Sequence, residues 1–281
     1  MEPRHTRAAA PARWKATLPW SAMRMRVGTS GFSYDEWAGG FYPAGLAADE
    51  RLGFYAERLC TVEINNTFYR MPKREVLRRW AAAVPDGFRF VIKASRRITH
   101  EGRLEDADAL AHLLRQLEAL GDKRGPLLFQ TPHYLRKNVE KLRAFVALLP
   151  PGVPAAFELR HRGWDDPEVH DVLGSAGHAW CAAEHEPSDG EATSAAGSSE
   201  ASAGSGGSEP LEERPLVRTA PWGYLRLHAA AYDDARLQRW VERIRDTWDE
   251  AWVFFSHEQT APHLVERMTA IARRLPGVDL S

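Results

Sequence analysis

Eight short runs rich in β-branched and aromatic residues recur along this chain, and most are separated by segments with helical spacing. The runs are RVGTS (26–30), TVEIN (61–65), FRFVIKA (88–94), PLLFQT (126–131), PAAFELR (154–160), HAWCAAE (178–184), GYLRLH (223–228) and AWVFFSH (251–257). Strands that alternate with helices become parallel neighbours joined by crossovers, which makes the class α/β. Eight such units over about 250 residues is the count and size of a closed (β/α)8 TIM barrel. An open doubly wound sheet is the alternative, because periodicity does not report closure.

The intervening stripes follow a 3.6-residue period. Leu104, Ala107, Leu110, Leu114, Leu117 and Leu120 end at Gly121, and Val139, Leu142, Phe145, Val146 and Leu149 stop at Pro150. Asp165 ahead of Asp166–Pro167–Glu168 reads as a helix N-cap. Leu237, Trp240, Val241, Ile244 and Trp248 form another stripe, and Leu264, Val265, Met268, Ile271 and Leu275 the last. Between strands six and seven no stripe exists. Residues 186–215 are a Gly/Ser/Ala/Glu tract whose composition cannot offset its ordering entropy, so a long flexible insertion is expected in place of a helix. Residues 1–23 carry Arg and Ala without the apolar core of a secretory signal and read as a disordered extension. A single barrel domain over 24–281 remains.

With 281 residues and 44% hydrophobic content, the chain is long enough for that core. A formal net charge of −1 gives no global field to recruit nucleic acid or an acidic membrane, so any anion site must be local. No run of 18 apolar residues marks a membrane span. Two distant cysteines, Cys60 and Cys181, suit reduced thiols and a cytoplasmic setting.

The segments RVGTSGFSYDEWAGGFYPAGL (26–46), FYAERLCTVEINNTFYRMP (54–72), FRFVIKASRRITH (88–100), GDKRGPLLFQTP (121–132), AFELRHRGW (156–164) and YLRLH (224–228) resemble, in order and spacing, the YecE-like family, domain of unknown function 72. The resemblance runs from Arg26 to about Leu275 and implies a TIM barrel without implying an activity. Two departures lie on one side of the expected site. The last strand ends in Phe255, Ser256, His257 and Glu258 where the family often has Phe-Asn-Asn-Asp, and the tract after strand six is longer.

Alternation along barrel strands sends every second side chain into the lumen, and working residues collect at the C-terminal strand ends. Val62 and Ile64 facing the helices leave Glu63 and Asn65 inward. The same parity gives Lys93, Gln130, Glu158, Arg160, Arg226 and His228, so two carboxylates and three cations share one space. Unpaired charges there would be costly, so they pair with one another or with a ligand. Glu63, Lys93, Glu158 and His228 are the catalytic candidates. Ser30, Tyr34, Asn65, Asn66, Tyr69, Thr99, His100, Gln130, Arg160, Trp164 and Arg226 are the ligand-binding candidates, with Tyr34, Tyr69 and Trp164 presenting polar handles. Phe32, Trp37 and Phe41 are expected to pack. No Walker loop, GxGxxG, HExxH, paired-Cys or GxSxG motif occurs, and no cofactor is specified.

Three functions fit this set. The leading one is an enzyme on a small phosphorylated or carboxylated substrate, with Lys93, Arg160 and Arg226 holding the anion and Glu63 or Glu158 as general acid or base. In a variant of it, neighbouring cations lower the pKa of Lys93 and make it a Schiff-base nucleophile. A metal-dependent hydrolase or isomerase would use Glu63, Glu158, His228 and His257. A non-catalytic ligand-binding or nucleic-acid-associated module would use the aromatic and Arg-rich loops around 66–73 and 95–103.

Overall fold

The computed structural model describes residues 22–184, 210–229, 231–256 and 259–280. The extension up to residue 21, positions 186–209 of the tract, His257 and Glu258 lie outside the described residues.

Eight parallel strands close on themselves: β1 (Met23–Ser30), β2 (Thr61–Ile64), β3 (Arg89–Lys93), β4 (Arg124–Gln130), β5 (Ala155–Glu158), β6 (Ala179–Ala183), β7 (Trp222–Leu227) and β8 (Glu250–Phe255). Each pairs with the next, and β1 pairs with both β8 and β2, which completes the barrel. Closure selects the TIM barrel over the open sheet. Helices α1 (Arg51–Ala56), α2 (Arg74–Ala82), α3 (Ala107–Leu117), α4 (Val139–Val146), α5 (Pro167–Ser175), α6 (Asp234–Thr247) and α7 (Ala261–Ala272) follow the other strands; none of the described residues between β6 and β7 is helical. None of the described helices is long and apolar enough to cross a membrane.

The sequence did not announce a ninth strand, β9 (Val278–Leu280), which pairs with Met23–Met25. β2 reaches only Thr29 and Ser30 of β1, so β9 covers the lower edge of β1 that would otherwise stay open. Gly28 is required where β1 and β2 converge, because a Cβ there would stand 2.2 Å from the Thr61 carbonyl oxygen.

Two apolar layers hold the barrel. The larger lies between strands and helices and includes Val62, Ile64, Phe90, Phe129, Phe157, Leu225 and Val253. The smaller fills the lumen with Val91, Leu128, Ala156, Cys181, Tyr224, Trp252 and Phe254. Alanines opposite Trp252 and Phe254 let large and small side chains interdigitate. Cys60 and Cys181 are both unbonded thiols.

Three local readings change. Asp166, not Asp165, caps α5: its carboxylate accepts from the Glu168 amide at 3.0 Å, and Pro167 follows at the first helical position. Leu104 stands outside α3 with a φ of 66°, and Asp106 provides the cap. The end of the tract (210–215) is seated rather than free, since Leu211 packs on the core and Arg243 donates to the Leu211 and Arg214 carbonyls.

Candidate functional site

Parity brings the charged residues together above the apolar lumen. Arg226 grips Glu63 with two nitrogens, Nε to Oε2 at 3.1 Å and Nη2 to Oε1 at 2.9 Å, and reaches Glu158 with Nη1 at 2.9 Å. Glu63 also accepts from the Ser30 hydroxyl and from Tyr224 at 2.6 Å. Glu158 accepts twice from Gln130 Nε2, at 2.8 and 2.9 Å, and from Arg160 Nε at 2.9 Å. Asn65 donates to the Ser30 hydroxyl from the turn above β2. The Glu63, Glu158 and Arg226 side chains are buried. A lattice this buried persists because donors surround both carboxylates.

That environment fixes the charge states. Burial alone would push the Glu63 carboxyl up, but Arg226, Ser30 and Tyr224 hold it below the usual carboxylate range. Glu158 is likewise held well below that range, because Arg226 and Arg160 outweigh its burial. Burial works against the Arg226 cation, and the two glutamates more than restore it.

Lys93 is different. It ends β3 beside this lattice, yet among the described residues its amine makes no hydrogen bond or ion pair. Its Nζ lies 4.7 Å from the centre of the Phe68 ring. Burial, then the nearby Arg226 cation, lowers its pKa to about 8, and Glu63 and Glu158 oppose that only in part. The imidazole of His228 is lowered to about 4 by burial and by Arg226, so it is neutral at pH 7. Its backbone amide is held by Glu184 at 2.9 Å. His100 and His133 are also lowered, first by burial and next by Lys93 and Arg160 respectively. Burial is the main cause at all four groups, and a neighbouring cation adds to it at each.

The rim is built from the turns after β2 and β3. Arg97–Glu101 forms a single π-helical turn, a form that concentrates at functional sites, and places His100 edge-on to Phe68 at 4.9 Å. Thr99 is buried and shares a 2.9 Å hydrogen bond with His100 Nδ1. Asn66 is exposed, and Tyr69 is 75% exposed with its ring on Phe68.

Two expected contacts change character. Trp164 is fully buried, and its indole donates to the Leu135 carbonyl at 2.7 Å, so it belongs to the core. The Tyr34 hydroxyl is committed to the Ser30 carbonyl at 2.6 Å, and its ring packs on Trp37. Trp37 and Phe41 are buried and Phe32 packs on Tyr55 and Trp80, as expected for the packing set.

The β5–β6 ladder ends at Phe157↔Trp180, whereas β4–β5 continues to Gln130↔Glu158 and β6–β7 to Ala183↔Arg226. The two strands part above that rung. A cleft of about 510 Å³ opens beside them, lined by Glu158, Arg160, Arg162, Cys181 and Arg214 among others. Arg160 spends only Nε on Glu158, and the buried Nε of Arg214 has no hydrogen-bond partner among the described residues. Sequence reasoning missed Arg214, which lies in the tract read as flexible. It also missed Tyr224, although Tyr224 shares the parity of Arg226. Among the described residues no group of three or more His, Cys, Asp or Glu is arranged to hold a metal ion, and Arg226 stands between Glu63 and Glu158.

The chain matches the family model for the protein of unknown function DUF72 over residues 26–278. The UPF0759 protein YecE of Escherichia coli is 32% identical over 109 residues, 38% of this chain and 40% of that protein. YunF of Bacillus subtilis is 25% identical over 140 residues, 46% of this chain and 49% of its own. The matched segments thus span less than half the length of these curated relatives. A DUF72 family protein from Thermotoga maritima superposes with a TM-score of 0.69 at 22% identity, over 89% of this chain and all of that one. One from Enterococcus faecalis gives 0.69 at 19% identity, over 89% and 96%. At these identities the structures support the fold alone. Because the family model spans the whole barrel from the first strand to the last, this chain belongs to the DUF72 family.

Proposed function

We propose that the barrel mouth is the active site of an enzyme acting on a small anionic substrate, phosphorylated or carboxylated. The observation that carries this is the unmatched cation. Lys93, Arg160 and Arg226 contribute three positive charges against two from Glu63 and Glu158, and among the described residues no carboxylate pairs with Lys93, whose amine lies over the Phe68 ring. A half-buried ammonium without a counter-ion is costly, and an anion relieves that cost. Arg160, Arg162 and Arg214 line the adjoining cleft and offer further donors.

In this reading Glu63 and Glu158 are anchors more than proton carriers. Carboxylates held this far below neutrality are weak bases and carry no proton to give at pH 7. Proton transfer falls to the neutral imidazole of His228, to Lys93, which at pH 7 is mainly an ammonium with a proton to give, and to His100 on the rim. Gln130 and Asn65 hold Glu158 and Ser30, and through them the floor of the site. The metal-dependent alternative finds less support, because a cation between Glu63 and Glu158 would meet Arg226 there. A single-strand-binding reading draws on Tyr69 and Tyr134, both well exposed on rim loops.

Calorimetric titration with inorganic phosphate tests the proposal. Saturable binding that weakens tenfold or more in Arg160→Ala is expected. No saturable binding, or binding indifferent to Arg160 and Lys93, overturns it. Salt-sensitive binding of a fluorescent oligonucleotide lost in Tyr69→Ala would favour the single-strand reading instead.

A further inference from the structure

This chain draws nearly all of its positive charge from arginine. Of 37 basic residues only six are lysines, at positions 15, 73, 93, 123, 137 and 141. Three of the described ones are spent on carboxylates: Lys123 on Asp86, Lys137 on Asp166 and Lys141 on Glu105. Lys73 is exposed at the start of α2. Lys93 alone among the described lysines faces the lumen, where arginine would bridge carboxylates better, as Arg226 does two strands from Glu158. What lysine offers there and arginine does not is a lone pair after one proton is lost.

We propose that Lys93 is a nucleophilic amine that forms an imine with a small anionic aldehyde or 2-oxo acid bound at the barrel mouth. This rests on the anion-site reading above and adds the substrate's second feature, a carbonyl group. The amine's lone pair forms the Nζ–C bond while the carbonyl π pair moves to oxygen. Two protons from nitrogen pass to that oxygen, which leaves as water, so amine plus carbonyl gives imine plus one water. His100, seated on the same Phe68 ring as Lys93, is the imidazole placed to relay them. Arg160, with two guanidinium nitrogens beyond its bond to Glu158, holds the substrate's anionic end. The Glu63–Arg226–Glu158 lattice fixes the floor and keeps a local cation near the amine.

The neutral fraction of Lys93 at pH 7 exceeds that of an ordinary surface lysine by about two orders of magnitude, since its pKa stands near 8 rather than 10.5. The lower pKa also reduces intrinsic nucleophilicity, so a net advantage of about tenfold is expected.

The test is reductive trapping on the full chain. Protein is incubated with pyridoxal 5′-phosphate, and separately with glyoxylate, then reduced with borohydride and mapped by peptide mass. Lys93 is expected to carry the label about tenfold ahead of Lys73, with inorganic phosphate slowing it and K93R abolishing it. Labelling that follows exposure, with Lys73 ahead of Lys93, overturns the proposal. So does labelling unchanged by phosphate. If K93R fails to fold, the wild-type map still decides. Phosphate binding without a Lys93 adduct removes the imine and leaves the anion site, whereas the absence of phosphate binding removes the anion reading itself.

Discussion

Replacing Lys93 with methionine should make the protein more stable, and the gain should depend on pH in a calculable way. In the unfolded chain this amine titrates near 10.5, and in the folded barrel near 8. Between those values the unfolded state binds a proton that the folded state has released, so stability rises with pH across the window. Below about 8 the penalty is complete. A shift of this size is worth about 3 kcal/mol at pH 7, shrinking to about 1 kcal/mol at pH 10. Methionine keeps a stem of similar length against Phe68 and carries no charge to desolvate. Urea denaturation of both proteins at pH 7 and pH 10 reads the effect as two differences. K93M is predicted to be more stable by about 3 kcal/mol at the lower pH and by about 1 at the higher. A variant no more stable than wild type at pH 7, or equally favoured at both, would refute the claim that Lys93 is an uncompensated cation. A gain in stability from deleting a site residue is the usual mark of strain held for function.

Glu63→Gln should cost about 3–5 kcal/mol by chemical denaturation, because Ser30, Tyr224 and two Arg226 nitrogens all donate to that carboxylate and an amide nitrogen among them clashes in polarity. Both glutamates have lowered folded-state pKa values. The stability they confer is therefore complete above their ordinary value and lost as pH falls below it, and melting temperature followed from pH 6 to 3 should drop more in wild type than in Glu63→Gln. Trp164→Phe should destabilise by about 1–3 kcal/mol through the orphaned Leu135 carbonyl, with phosphate affinity unchanged in titration. Gly223→Ala should abolish or sharply lower the cooperative melt, since its Cβ would stand 2.1 Å from the Trp248 ring.

The barrel was legible because its signals are local: eight apolar runs, stripes of period 3.6, and capping and stop residues between them. The lattice was legible for the same reason, since alternation along TVEI, VIK and LRL put Glu63, Lys93 and Arg226 on one face, and the register shift between β3 and β4 falls on β4 and leaves that parity intact. Three things needed three dimensions. Trp164 looks like a loop aromatic until Leu135 is found across the β4–α4 turn to receive its indole. β9 is three residues long and has no periodicity of its own; it exists because β2 leaves an edge uncovered. Arg214 sits at the end of a Gly/Ser tract, and only the parting of β5 and β6 turns it into a cleft wall. Charge states were the least legible. Two glutamates in a lumen suggest acid–base chemistry, and only the count of donors on each shows them locked as anions.

The most direct measurement follows the Lys93 amine itself. With six lysines in the chain, selective carbon-13 labelling at Cε gives a spectrum simple enough to assign by the K93M variant. Titrated from pH 6 to 11, the Lys93 signal is predicted to move with a midpoint near 8, and to shift upward when inorganic phosphate is added, because a bound anion favours the ammonium. A midpoint near 10.5, unmoved by phosphate, would contradict the account.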